Sequence, residues 1–249
     1  MAKDNMTIRF TPDGFSYSKI PEATTEQLDE APLHEVTPGP DFQRRLHEEV
    51  LNVLPQGETP SDLVVEIVST RVVALPSDVE LMDEVTASSG AAHVSLAEQM
   101  YRATLSELEG TDEQVLPHLI TLPCGQELLL AFGIDRELSL FLSRNFGEVT
   151  YRHHVASLIM QGSLTLGEVC LAVRCDEAFL EVALFRKRRL ALLNVYRTSE
   201  PADRTYYVMN TWLREGLDQL HDQLLVVGQS DEGQQLAESV SEFVKNVNR

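Results

Sequence analysis

Few residues in this sequence have the types and spacing that catalysis or metal binding requires. The pair His153-His154 offers two metal ligands, but adjacent residues on a helix point about 100° apart. No carboxylate-rich segment accompanies the pair. The pattern therefore favours a polar surface or a helix-entry role over a metal site.

The common motifs of phosphate-binding and hydrolytic enzymes are missing from the sequence. It has no Gly-x-x-x-x-Gly-Lys-Ser/Thr, Gly-x-Gly-x-x-Gly or His-Glu-x-x-His segment, and Gln161-Gly162-Ser163 lacks the second glycine of a hydrolase elbow. Three cysteines, Cys124, Cys170 and Cys175, include no Cys-x-x-Cys pair, which argues against a disulfide framework or a zinc site. We expect Cys170 in the core and Cys124 at the surface.

The basic run Arg186-Lys187-Arg188-Arg189 is unusual in so acidic a chain. It is interpreted either as a solvated hairpin tip that discourages edge pairing or as a docking patch. The docking partner would be acidic, for example an acidic face of another copy. Both interpretations stay open.

The composition limits the classes of partner. The 249 residues include 39 Asp and Glu against 20 Lys and Arg, giving a net charge of -19 that repels nucleic acid and anionic membrane surfaces. No run approaches the roughly 20 apolar residues of a membrane span, and the start, MAKDNMTIRF, has no apolar signal stretch. We expect a reduced cytoplasmic protein that neither binds nucleic acid nor inserts into a membrane.

The last third of the sequence predicts three strands, a helix, a strand and a helix. Short connections make the three strands an antiparallel meander. The predicted elements are strands at 168–174, 178–185 and 190–196, a helix opened by Ser199-Glu200-Pro201, a strand at 223–228 and a helix after Ser230. Thr198 or Ser199 is the predicted N-cap of the first helix and Ser230 that of the second. The predicted buried stripes are Tyr206, Met209, Leu213 and Leu217, then Leu236, Val240, Phe243, Val244 and Val247.

The first part repeats this order more loosely. The predicted elements are strands at 7–10, 15–20, 33–36 and 63–68, a helix at 41–54 and a later helix at 77–87. An inserted segment adds helices at 96–108 and 135–146, strands at 116–122 and 128–134, and a short helix near His153. The predicted domains are residues 1–160, with the insertion, and residues 161–249.

A twofold β-β-β-α-β-α order is the order of the actin, Hsp70 and sugar-kinase superfamily. More narrowly, the chain resembles a bacterial family of unknown function with an actin-like ATPase fold. The segments that carry the resemblance are TIRFTPDGFSYSKI (7–20), ALPSDVEL (74–81), LLNVYRTSEPADRTYYVMNTWL (192–213) and LLVVGQS (224–230). The resemblance implies an α/β fold of two actin-like (ribonuclease-H-like) β-β-β-α-β-α units, with an inserted α/β segment in the first half.

The resemblance also implies where a nucleotide site would lie. In the superfamily, each half offers an Asp-x-Gly hairpin turn whose backbone N–H groups receive phosphates, and a Gly-Gly pair packs on the nucleoside. The matching positions are Asp13, Gly14 and Ser16 in the first turn, Asp176 in the second, and Gly228.

These positions only partly fit the superfamily pattern. The first turn is one residue short and contains the bulky Phe15, and the second, Cys175-Asp176-Glu177-Ala178, has no glycine. Its two carboxylates each oppose a phosphate charge, at a cost of about 1 kcal/mol at 4 Å in water and more in a cleft. Asp13-Gly14 also fits a simple hairpin turn, and Gly228 a strand-to-helix turn.

Two functional hypotheses follow. The first is a non-catalytic binding or scaffold protein with a vestigial nucleotide cleft and a protein partner. The second is a divergent ATP-binding switch or kinase-like protein. We expect neither phosphoryl transfer nor an ATP or Mg²⁺ requirement, and self-association stays open.

Overall fold

The computed structural model describes residues 6–19, 23, 27–28, 31–37, 39, 41–53, 62–76, 96–105, 112–146 and 148–249. The chain divides into two compact units. The first comprises Met1–His118 and Leu130–His154, and the second Leu119–Leu129 and Val155–Arg249. The predicted boundary between residues 160 and 161 stays a prediction, and the helix predicted at 77–87 lies outside the described residues.

The described residues form thirteen strands and six helices. The strands are β1 (Met6–Thr11), β2 (Gly14–Ser18), β3 (His34–Glu35), β4 (Asp62–Ile67), β5 (Val72–Pro76), β6 (Glu113–Thr121), β7 (Glu127–Asp135), β8 (Glu148–His153), β9 (Val169–Cys175), β10 (Phe179–Arg186), β11 (Arg189–Arg197), β12 (Gln223–Val226) and β13 (Asn246–Asn248). The helices are α1 (Phe42–Val53), α2 (Leu96–Thr104), α3 (Arg136–Asn145), α4 (Val155–Ser163), α5 (Pro201–Arg214) and α6 (Asp231–Ser241). None of the described helices combines the length and apolar character needed to cross a bilayer.

Two five-stranded sheets have the same strand order. The first is β3-β2-β1-β4-β8 and the second is β11-β10-β9-β12-β13. In the first sheet, β1 pairs antiparallel with β2 and parallel with β4. In the second sheet, β9 pairs antiparallel with β10 and parallel with β12. A separate three-stranded sheet, β5-β7-β6, is formed by β5 and the two strands of the inserted segment. The predicted α/β fold of two ribonuclease-H-like units is confirmed.

Alternation along the central strand decides what each face of the first sheet contacts. Ile8 and Phe10 point into an apolar core with residues of α1 and α3, such as Leu46. The intervening Thr7 and Arg9 point to the opposite face, since successive strand residues alternate. Both are buried, so this strand is covered on both sides, with polar groups on one of them.

Each sheet ends in a fifth strand that the sequence pattern does not reveal. Leu236, Val240 and Val244 of the predicted stripe are buried, but the predicted helix does not continue through Phe243 and Val247, because α6 ends at Ser241. Asn246–Asn248 instead forms β13, which runs parallel to β12. The sequence did not predict this strand because two of its three residues are asparagines, which have low strand propensity. The prediction of a helix arose from the spacing of Val240, Val244 and Val247, which matches a helical repeat.

Helix α5 buries only part of the predicted stripe: Met209 packs against the core of the second unit, and Leu217, just beyond the helix, is buried. Tyr206 is 62% exposed and Leu213 is 68% exposed. The buried face contains Arg204, Val208 and Trp212, because the polar residue Arg204 has hydrogen-bond partners inside. The N-cap is Glu200 rather than Thr198 or Ser199, and its side chain makes no capping hydrogen bond.

The turn between β10 and β11 is strained. Lys187 and Arg188 have φ values of 52° and 65°, in the left-handed region. Two-residue hairpin turns of this hand favour Asn-Gly because side chains with a Cβ clash there. The chain therefore places two cationic residues in a conformation that suits neither.

We predict that Lys187→Asn stabilises the protein. Asn tolerates the left-handed region better than Lys, so the free energy of unfolding should rise by up to about 1 kcal/mol. Thermal or urea unfolding measures the change. Arg189→Asn, within strand β11, is the control and should bring no gain. A lower stability for Lys187→Asn would contradict the strain argument.

We predict that His118 makes the fold sensitive to mild acid. Burial, and next the charge of Arg152, lower the pKa of His118. The folded chain therefore binds the proton less readily than the unfolded chain, and stability is lost as the pH falls below about 6.5. The drop in Tm between about pH 7.5 and about pH 5.5 should be smaller in His118→Gln. Equal drops in parent and variant would show that His118 plays no part.

Candidate functional site

The first candidate turn joins β1 to β2 through Pro12 and Asp13. Asp13 is exposed, and its carbonyl accepts a hydrogen bond from the Val36 N–H at 2.9 Å. The Thr11 hydroxyl lies 3.4 Å from both the Asp13 N–H and the Gly14 carbonyl. The turn is thus tied to neighbouring residues of its own sheet.

Gly14 has a structural reason to be glycine. A Cβ at this position would lie 2.1 Å from the carbonyl oxygen of His34 on β3. The next residue, Phe15, is fully buried and stacks on His34 with ring centroids 5.1 Å apart. Ser16 is also buried and pairs with Arg9 within the sheet, so its side chain lies away from the exposed tip.

The second candidate turn, between β9 and β10, satisfies its own backbone. One carboxylate oxygen of Asp176 accepts hydrogen bonds from the N–H groups of Ala178 at 2.9 Å and Phe179 at 2.7 Å. The N–H of Asp176 is bonded to the Phe179 carbonyl at 3.1 Å. The donors of Asp176, Ala178 and Phe179 are therefore engaged inside the turn.

A buried arginine bonds the carbonyl groups of the same turn. Arg204, at the start of α5, is 3% exposed. Its Nη2 donates to the carbonyls of Asp176 at 2.7 Å and Glu177 at 2.9 Å. Helix α5 is thereby fixed to the turn, and the turn is bonded through both its N–H and its C=O groups.

Gly228 lies beside this turn, at the carboxyl ends of β9 and β12. Its φ of 94° is in the left-handed region, and its position is exposed. Ser230 caps α6 as predicted, accepting from the Gly233 N–H at 3.1 Å. The Ser230 hydroxyl also donates to the Cys175 carbonyl at 2.7 Å. The structure thus brings Asp176 and Gly228 together in the second unit, while Asp13, Gly14 and Ser16 belong to the first.

The surroundings of the second turn offer little reactive chemistry. Burial raises the pKa of the Cys175 thiol to about 12, so it is not a thiolate near neutral pH. A small surface depression nearby is lined by Arg204, Glu232 and Ser239 among others and encloses essentially no internal volume. Ligand pockets usually start at about 300 Å³, so this depression does not by itself hold a nucleotide.

Two buried ion pairs near the central strands were missed by sequence reasoning. Arg9 Nε lies 2.7 Å from Glu66, and Arg174 lies 2.7 Å from Glu181. Arg174 also donates to the Ser157 hydroxyl of α4 at 2.6 Å. A charged residue inside an otherwise apolar strand, as in EVCLAVR, is the signal that could have identified them.

Both histidines of the predicted polar pair are buried. His153 is 1% exposed and His154 is 4% exposed, so the surface placement is wrong, although α4 does begin directly after them. His153 Nε2 lies 3.3 Å from the Ser69 hydroxyl. In the part of the chain that the structure describes, no three His, Cys, Asp or Glu side chains form a metal-binding group.

Residues 105–247 identify the family. They match the model of the family described as Protein of unknown function (DUF3822). The chain belongs to this family. The DUF3822 match includes Asp176 and Gly228, whereas Asp13, Gly14 and Ser16 precede it. A search of the curated proteins finds no significant match.

The similarity of the DUF3822 protein to solved structures covers nearly its whole chain. One is a protein from Bacteroides thetaiotaomicron VPI-5482 with an actin-like ATPase fold and unknown function, 20% identical, with a TM-score of 0.71 over 99% of this chain and 91% of that chain. Another comes from the PilM-PilN type IV pilus biogenesis complex, 12% identical, with a TM-score of 0.54 over 98% of this chain and 87% of that chain. These likenesses show an actin-like fold.

We predict that Asp176→Ala destabilises the protein. Two partly buried N–H groups would lose their acceptor, which should lower the free energy of unfolding by about 1–3 kcal/mol. Asp176→Asn keeps an acceptor oxygen and should lose less. The exposed neighbour Glu177→Ala is the matched control and should change stability by less than about 0.5 kcal/mol. Urea unfolding separates the three variants, and equal values for all would refute the assigned role of Asp176.

Proposed function

We propose that this DUF3822 protein is a non-catalytic binding or scaffold protein whose nucleotide site is degenerate. The observation that carries the proposal is the internally bonded second turn. A phosphate group there would compete with the Asp176 carboxylate for the N–H groups of Ala178 and Phe179. It would also meet the negative charges of Asp176 and Glu177. Arg204 is the cation that bonds this turn, and its Nη2 is directed to the carbonyls of Asp176 and Glu177.

The first turn supports the same proposal. Gly14 is required by the approach of the His34 carbonyl, and Ser16 is buried within the sheet. The two residues that resemble a phosphate-binding turn therefore have structural roles that need no ligand. Sequence likeness at this turn is accounted for by the hairpin itself.

A protein partner is the second part of the proposal. A chain of similar fold occurs in a complex of two proteins, PilM and PilN, which is a precedent for an actin-like fold that binds another protein. None of the three cysteines is in a disulfide, which fits a reducing compartment. We propose that the protein acts in the cytoplasm of a bacterium.

A divergent ATP-binding switch or kinase-like protein is the alternative. The exposed glycine Gly228, with its φ of 94°, favours it, because that position leaves the backbone open to a close ligand. Under this alternative, exposed Asp13 is also one of the nucleotide-binding residues. The alternative and the scaffold proposal differ in whether nucleotide binds the folded chain.

We predict that nucleotide leaves the thermal stability unchanged. The Tm of the purified protein should be the same with Mg²⁺ alone, Mg-ATP, Mg-ADP or a non-hydrolysable analogue at millimolar concentration. Binding at 100 times Kd would add about 2.7 kcal/mol, a rise of several degrees.

Variants decide what any shift would mean. A nucleotide-specific rise in Tm that disappears in Gly228→Glu would overturn the proposal in favour of the switch or kinase. Gly228→Glu is the better probe because a side chain at Gly14 would strike the His34 backbone and disturb the sheet. Asp13→Ala, at an exposed residue, serves as the second probe.

A further inference from the structure

Loops at one end of the second sheet are bonded together. Strands β9, β12 and β13 all start at this end, and the β10–β11 turn returns to it. The Lys187 N–H donates to the Glu168 carbonyl, and Arg188 Nε donates to the Ser163 carbonyl at 3.0 Å. The segment after α4 and the basic turn therefore form one continuous surface.

This surface exposes large apolar side chains. Leu166 is 94% exposed and Leu164 is 57% exposed, both in the segment between α4 and β9. Leu220 and Phe243, in the segments that lead into β12 and β13, are 62% and 50% exposed. Scattered exposed leucines are ordinary, but apolar side chains grouped at one end of a sheet are typical of an interaction surface.

The same surface holds cations without a counter-charge. Arg186 is paired with Glu215 at 3.7 Å. Among the described residues, neither Lys187 nor Arg189 has a carboxylate partner, although the whole chain carries a net charge of -19. Lys187 and Arg189 are exposed beside exposed leucines and have no carboxylate partner within the described part of the chain, so they offer complementary charge to an acidic ligand.

The strain of the turn is an independent observation on the same residues. Lys187 and Arg188 adopt left-handed backbone conformations at φ values of 52° and 65°. Strained backbone persists where the surroundings impose it, and such residues cluster at functional sites. One of the two strained residues, Lys187, is an exposed cation at the tip of the turn.

We propose that Leu164, Leu166, Lys187 and Arg189 form a docking patch for an acidic protein segment that presents an apolar side chain between carboxylates. This inference rests on the proposed function and names its surface and partner class. The apolar side chain contacts the two leucines, and the flanking carboxylates pair with Lys187 and Arg189. Such a partner would cover the exposed leucines and neutralise the two cations in one contact.

Two other classes of partner fit the charges poorly. Anionic membranes recruit basic clusters of about four to eight cations, and nucleic-acid binding of appreciable strength uses about six to ten phosphate contacts. Among the described residues of the turn, three cations lack a carboxylate partner when the carbonyl-bonded Arg188 is included. Three cations fall short of both numbers, and a flat membrane or a duplex would also meet the acidic remainder of the chain. A short protein segment contacts the patch alone.

Site-specific photocrosslinking in cells of the native host tests the proposal. The full chain carries a benzoylphenylalanine in place of Leu166, whose exposure makes the replacement tolerable. The control chain carries it in place of Leu140 on α3, which is 47% exposed in the other unit. We expect protein adducts at position 166 and few at position 140, with crosslinked peptides, identified by mass spectrometry, that contain Asp or Glu around an apolar residue.

A charge-reversed chain completes the test. Adding Lys187→Glu and Arg189→Glu should lower the adduct yield at position 166 at least about fivefold, because like charges then oppose each other across the contact. An unchanged circular dichroism spectrum and a matching thermal melt establish that the reversed chain is folded.

Each other result overturns the docking patch. These are adducts with lipid, with nucleic acid, with another copy of this chain or with a peptide lacking acidic residues, a yield no higher than at position 140, and a yield unaffected by charge reversal. Protein adducts found only at position 140 would support a protein partner but would show that it binds elsewhere than the docking patch. Failure of the scaffold proposal itself is a separate result, namely a nucleotide-specific rise in Tm.

Discussion

Each five-stranded sheet buries an arginine–glutamate pair at its central strand, and the surrounding packing depends on both pairs remaining intact. Arg9 on β1 meets Glu66 on β4, and Arg174 on β9 meets Glu181 on β10. Exchanging such a pair for apolar residues can be neutral, but removing one partner leaves an isolated buried charge and costs about 3–5 kcal/mol. The central strands are apolar on one face, so these pairs determine what can cover the other.

The buried ion pair joins different kinds of strand pairing in the two sheets. In the first sheet the pair joins parallel strands, and Arg152 of β8 adds a second contact to Glu66 at 2.8 Å. Burial raises the pKa of Glu66, yet the neighbouring positive charges, led by Arg9, outweigh burial and hold it below its ordinary value. In the second sheet the pair joins antiparallel strands and reaches α4 through Ser157. The same strand order is thus held in register by different partners.

Long periodic segments of the sequence were enough to predict the order of elements as far as the fourth strand of each half. Short connections also restricted the first three strands of the second half to an antiparallel meander. Short or polar elements were not predictable: β13 has two asparagines in three residues, and only pairing with β12 makes it a strand. The buried face of α5 was misassigned because Arg204 is buried by its hydrogen bonds to a distant turn, whereas Tyr206 is apolar and exposed. At the candidate site, the resemblance identified the positions Asp176 and Gly228. The role of Asp176 as a hydrogen-bond acceptor depends on the conformation of the turn, which the spacing of residues in the sequence does not determine.

The joint bonding of the second turn by Asp176 and Arg204 has an evolutionary consequence. To become a glycine-type phosphate cradle, the turn would have to lose the Asp176 carboxylate and also release its carbonyls from Arg204. Either change made alone leaves buried polar groups without partners. Each single change is therefore expected to lower stability relative to the present sequence, and marginally stable proteins tolerate few such losses. The turn is entrenched: its present sequence is held in place by the instability of its single-step neighbours.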